Sequence, residues 1–135
     1  MAAETKETPK PGPIVLVVDD DAGILRIIEM QLQRNGFQVV TAPNGQEALK
    51  VLRKTIPSVI ILDVMMPGMS GYDVCQVVKR NERLEKVPVI FLTAKGSPQD
   101  YKTGMDSGGV VYMVKPFNPE RLLQVVQMMA SAPPA

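Results

Sequence analysis

Five short apolar runs rich in β-branched residues recur along the chain, at about residues 14 to 18, 37 to 41, 58 to 63, 88 to 92 and 110 to 114. They lack the strict alternation of apolar and polar positions that marks a sheet with one wet face, so they read as parallel strands covered on both sides. The second run, Phe37 to Thr41, is the most mixed and reads as an edge. Between the runs the period becomes that of a helix. From Ala22 to Asn35 the residues Ile24, Leu25, Ile28 and Leu32 share one face, and Asn35-Gly36 supplies a left-handed stop. Asn44-Gly45-Gln46-Glu47 opens a second helix through Lys54, with Ala48, Val51 and Leu52 inward. Ser70-Gly71-Tyr72-Asp73 starts a third through about Arg80, and Ser97-Pro98-Gln99-Asp100 a fourth, with a serine cap and a proline in its first turn. Asn118-Pro119-Glu120 starts the fifth. Strands alternating with helices imply right-handed crossovers, hence an α/β fold: a doubly wound five-stranded parallel sheet of flavodoxin-like (βα)5 order.

Composition narrows the class. A chain of 135 residues is one ordinary domain with room for a core. Its formal charge of +1 leaves no large basic field for nucleic acid. The apolar runs are of strand length, far below the ~20 residues of a membrane helix, and Met1-Ala2-Ala3-Glu4-Thr5-Lys6 is no signal-peptide apolar region. The expectation is a cytoplasmic protein with no membrane and no direct nucleic-acid partner. Cys75, the single cysteine, cannot form an internal disulfide, and a chain without histidine has no Ser-His or Cys-His nucleophile pair and none of the usual zinc clusters. One helical turn from Val78, Cys75 reads as a small buried residue. Residues 1 to 13, with three prolines, a glycine and alternating charges, read as a disordered leader; 14 to 131 form the domain, and 132 to 135 a tail or the start of a linker.

The chemistry sits where the strands end. The first run leads into Asp19-Asp20-Asp21, the third closes on Asp63, the fourth leads into Thr93, and the fifth into Lys115-Pro116. Carboxylates, a hydroxyl and an amine are thus delivered to one edge of one sheet, where open α/β folds place their sites. A carboxylate attacks a phosphoryl group poorly unless the incoming negative charge is neutralised, which a divalent cation and an ammonium do by electrostatics. Mg²⁺ wants hard oxygen ligands and keeps several waters, so Asp19, Asp20 and Asp63 are a sufficient carboxylate set. Asp21 reads as the cap of the first helix. Pro116 restricts Lys115 to extended conformations and so aims its ammonium.

Val17-Val18-Asp19-Asp20, the stretch from Leu62 to Gly71, Leu92-Thr93-Ala94 and the stretch from Tyr112 to Phe117 stand in that order with domain-like spacing. Together they resemble the receiver domain of two-component response regulators, the single-domain chemotaxis type being nearest in shape, over about residues 14 to 131. The resemblance implies that Asp63 accepts a phosphoryl group from a histidine kinase or a histidine phosphotransfer protein. It implies Mg²⁺, with Mn²⁺ as a substitute, held by Asp20, Asp63 and the backbone carbonyl of Met65, with Asp19 acting mainly through metal-bound water. The resemblance further implies a cis Lys115-Pro116 bond; Lys115 would contact one phosphoryl oxygen, and the Thr93 hydroxyl would move to another. Tyr112 would then turn from solvent into the core and change a face formed by the fourth helix, the fifth strand and the fifth helix, where a downstream protein docks. Such a domain is a phosphorelay signalling module, not an enzyme; it catalyses only its own phosphorylation and dephosphorylation.

Some positions depart from the commonest pattern. Val110-Val111 stands where the transcription-factor subclass usually carries an acidic pair, which argues for a monomer or weak dimer over a charged dimer. Met65 and Lys95, each two residues past a site residue, flank the phosphoryl position and leave its lifetime open. Several methionines, Met65, Met66 and Met69 in one loop and Met113, Met128 and Met129 near the end, suit either core filling or an adaptable partner surface. The rival reading is a Mg²⁺-dependent aspartyl-phosphate phosphatase of the haloacid-dehalogenase type. That family carries its nucleophile after the first strand in an Asp-x-Asp-x-Thr/Val pattern, which breaks here at Ala22-Gly23.

Overall fold

The computed structural model describes residues 12–94, 102 and 111–131. The leader up to residue 11, the cap of the fourth helix at Ser97, Lys95, Val110 and the tail from 132 lie outside the described residues; Lys102, within the span expected for that helix, is helical and exposed. The elements run β1 (Ile14–Val18), α1 (Ala22–Arg34), β2 (Gln38–Ala42), α2 (Gly45–Lys54), β3 (Val59–Asp63), α3 (Gly71–Arg80), β4 (Val89–Thr93), β5 (Val111–Val114) and α4 (Pro119–Ser131). All strand pairings are parallel, in the order β2-β1-β3-β4-β5. This is the doubly wound flavodoxin-like arrangement, and its order reverses between β1 and β3.

Side chains alternate between the two faces of the sheet. Leu16, Val18, Ile60, Leu62 and Phe91 face α2 and α3, burying Ala48, Leu52, Val74, Cys75 and Val78. Val15, Val17, Ile61, Ile90 and Leu92 face α1 and α4, burying Ile28, Leu32, Leu122 and Val126. Because β1, β3 and β4 bury both faces, every residue in them from Val15 onward is buried, and continuous apolar runs are what such strands require.

The helices start and stop on local chemistry. Asp21 caps α1 by accepting from the amides of Gly23 and Ile24, at 2.8 and 3.2 Å. Asn44 caps α2 through Glu47, and Ser70 with Asp73 forms a reciprocal capping box on α3. At the end of α1, Gly36 takes φ +91° while its amide donates to Gln33 and that of Phe37 to Leu32, a Schellman closure. That closure consumes Phe37, which explains why β2 begins one residue later than its apolar run: Phe37 is a buried plug of the helix end and not a strand residue. At the far end of α3, the ammonium of Lys79 donates to the carbonyls of Glu85 and Val87, at 3.0 and 2.7 Å, and pins the turn into β4.

Candidate active site at the carboxyl ends of the strands

Asp19 and Asp20 follow β1 and Asp63 closes β3, on the two sides of the point where the strand order reverses. One oxygen from each of the three carboxylates fits within a 4.8 Å set. Asp19 is fully buried and Asp63 nearly so, whereas Asp20 is exposed. Both oxygens of Asp19 are engaged: Oδ1 accepts from the Asp21 amide at 2.9 Å, and Oδ2 from the Lys115 ammonium at 2.9 Å. Lys115 also lies 3.4 Å from Asp63 Oδ1, which accepts from the Met65 amide at 3.3 Å. One cation therefore bridges the two buried carboxylates.

Lys115 directly follows β5, the strand paired with β4. Its amide donates to the Thr93 carbonyl, extending the β4 pairing one step, and the Lys115-Pro116 bond is cis. Thr93, buried at the end of β4, stands in register with Val114. The loop after β3 is held just as closely. The amides of Val64 and Gly71 donate to the carbonyls of Leu92 and Val64, and a Cβ at residue 71 would run into the carbonyl oxygen of Asp63. Gly71 is therefore required by close backbone approach.

Two buried carboxylates this close perturb each other. Burial first, then the charge of Asp19, raises Asp63 to about 6, against the pull of Lys115. Burial opposes the charge on Lys115, but its hydrogen bond and attraction to Asp19, then Asp63, outweigh that and raise it. A cluster that holds part of its charge only at such cost is suited to a cation. The donors are all carboxylate oxygens, the choice of a hard divalent ion.

Every residue expected at the site, Asp19, Asp20, Asp63, Met65, Thr93 and Lys115, lies at this edge. Met65 is 63% exposed at the rim, and its amide donates to Asp63 Oδ1. Met66, in contrast, is buried, so this loop serves the core and the rim at once. Tyr112 is half-buried on the α2–α3 side, with its ring 6.1 Å from Phe91. The pattern of the sequence did not single out Tyr72, whose hydroxyl is 3.0 Å from that of Tyr112. Helical spacing to buried Cys75 marks Tyr72 as inward, but nothing local pairs it with a residue forty positions on. Cys75 is buried, and burial pushes its thiol up to about 11 against the pull of Lys79, which disfavours the reactive thiolate.

The response regulator receiver domain family matches residues 15–127. The chain is 50% identical over 108 residues to "Probable transcriptional regulator ycf27" of Pyropia yezoensis, covering 80% of this chain and 43% of that one. It is 41% identical over 104 residues to the transcriptional regulatory protein AfsQ1 of Streptomyces coelicolor, covering 77% of this chain and 45% of the other. Among solved structures, the chemotaxis protein CheY4 of Vibrio cholerae superposes with a TM-score of 0.84 at 37% identity, covering 87% of this chain and 98% of CheY4. The chain belongs to the response regulator receiver domains, modules of two-component phosphorelay signalling, and the phosphatase alternative finds no support. It spans less than half the length of the two curated relatives, 43% and 45%. No helix among the described residues is long and apolar enough to cross a membrane.

Proposed function

We propose that Asp63 is the phosphoacceptor of this receiver. The observation that carries the reading is the juxtaposition of three carboxylates within 4.8 Å with one ammonium bridging Asp19 and Asp63. A carboxylate oxygen of Asp63 attacks the phosphorus of a phosphohistidine on a histidine kinase or phosphotransfer protein. A new P–O bond forms, the P–N bond breaks, and its electron pair leaves on the imidazole nitrogen. Asp20, Asp63 and the Met65 carbonyl would hold Mg²⁺, with Asp19 behind them; both Asp19 oxygens being occupied supports that order. The ion, or Mn²⁺ in its place, supplies charge neutralisation at the phosphoryl oxygens. Lys115 exchanges part of its contact with Asp63 for a phosphoryl oxygen, and the Thr93 hydroxyl donates to another.

Output then runs through Tyr112 to the face carrying β5, α4 and the helix expected near residues 97 onward. A downstream protein docks there, with the chain acting in the cytoplasm as a monomer or weak dimer. In relatives named as transcriptional regulators more than half of the length lies beyond the matched part, and there this domain would control an attached or separate effector. The module turns over only its own phosphoryl group. The test is incubation with acetyl phosphate and Mg²⁺ followed by peptide mass spectrometry. Phosphate on Asp63, abolished in Asp63→Asn, is expected; phosphate on another residue, or none under conditions that label other receivers, overturns the assignment.

A further inference from the structure

The ring of Phe91 is fully buried in β4 and touches two tyrosines edge-on, Tyr72 at 5.1 Å and Tyr112 at 6.1 Å between centroids. The hydroxyls of these two tyrosines meet at 3.0 Å. Tyr72 is the second residue of α3, and that helix begins on the acceptor loop: the Gly71 amide donates to Val64 at 3.0 Å, and Gly71 abuts the Asp63 carbonyl. The capping box of Ser70 and Asp73 holds this first turn as one rigid piece. A displacement of the loop after Asp63 must therefore move Tyr72. Tyr112 follows through its hydroxyl or loses that bond.

We propose that Tyr72 is a positioning residue for the switch, whose hydroxyl latches Tyr112 against Phe91 and carries the state of the Asp63 loop to β5 by a route that does not pass through Thr93. This rests on the reading of Tyr112 given above. Linkage makes the coupling reciprocal: if phosphate favours the packed Tyr112, a latch that favours the packed Tyr112 also favours phosphate. Losing one such hydrogen bond corresponds to a roughly two- to tenfold change in the coupled equilibrium.

The chain has three tyrosines, so fluorotyrosine labelling gives a fluorine NMR spectrum assignable by single Tyr→Phe variants. Beryllofluoride with Mg²⁺ serves as a stable mimic of the aspartyl phosphate. In Tyr72→Phe, which keeps the ring on Phe91, the Tyr112 resonance should move toward its solvent-exposed position before any mimic is added. The apparent affinity for beryllofluoride should fall two- to tenfold, and that loss should vanish when Tyr112→Phe is already present. Thr93→Ala should keep part of the Tyr112 response, and adding Tyr72→Phe should remove the remainder. An unmoved Tyr112 resonance in Tyr72→Phe, or an equal affinity loss in the Tyr112→Phe background, overturns the latch. A Tyr112 signal that responds to Tyr72→Phe yet ignores beryllofluoride supports the latch and overturns the switch reading of Tyr112 instead.

Discussion

Lys115 donates to Asp19 at 2.9 Å across ninety-six residues of sequence, and Asp19 has no exposed surface on which water could take over that bond. Removing the ammonium leaves a buried carboxylate beside a second one. In Lys115→Met the metal-free fold should lose about 2 kcal/mol, measured by urea unfolding in EDTA. Saturating Mg²⁺ should restore part of the loss, because a cation again faces the carboxylates. A variant as stable as the parent in EDTA would show that the pair contributes nothing net.

The acid of Asp63 sets a pH dependence. Its ordinary value of 3.8 is raised to about 6 in the folded chain, by burial first and then by Asp19. Within that window the folded form holds a proton that the unfolded form has released, so stability from this group is fully present below the lower value and lost as pH rises through the upper one. In EDTA the melting temperature of the parent should therefore fall relative to Asp63→Asn as pH climbs across the window. A difference between the two curves that stays flat with pH would refute the raised acid.

Mg²⁺ should raise the melting temperature at neutral pH, with ~2.7 kcal/mol available at a hundredfold excess over Kd. Asp20→Ala should lose most of that response. The cap of α1 is Asp21, and Asp20 is an exposed carboxylate beside two others, so the metal-free variant should be at least as stable as the parent. A clear loss of metal-free stability would instead assign Asp20 a structural role.

Thr93→Ala removes a buried hydroxyl and keeps the backbone bond from the Lys115 amide to the Thr93 carbonyl. Labelling of Asp63 should survive, while beryllofluoride-induced amide shifts over residues 111 to 126 shrink without disappearing. Equal shifts in variant and parent at saturation would remove Thr93 from the mechanism.

Two glycines of the acceptor loop should respond differently to alanine. At Gly71 the new Cβ meets the Asp63 carbonyl oxygen and comes within 3.1 Å of Val64 Cα, so the loop must shift, costing about 1–3 kcal/mol and slowing labelling of Asp63. At Gly68 nothing lies within 4 Å, and the cost is the φ of +80° alone, about 1–2 kcal/mol, with labelling near the parent rate. Denaturant melts paired with labelling rates check both, and a Gly68→Ala variant slower than Gly71→Ala would reverse the assignment.

Much of this protein was written locally. Continuous β-branched runs require strands buried on both faces, and Ser70, Asn44 and Asp21 mark helix starts because a side-chain oxygen three residues from an orphan amide is a short-range matter. The strand-end positions of Asp19, Asp63, Thr93 and Lys115 follow from the same runs, since a parallel sheet sends every carboxyl end to one edge. Register was less legible: Phe37 belongs to its apolar run in sequence, yet the helix end claims its amide, and only the folded backbone decides between those uses.

Tertiary structure alone decided how charges and rings pair. Nothing near Lys115 in sequence says that its ammonium bridges Asp19 and Asp63, and nothing near Tyr72 says that its hydroxyl meets that of Tyr112. Those contacts depend on angstrom-scale placement of elements brought together by sheet order and packing. Periodicity carries which face a residue occupies, but not which partner stands opposite it.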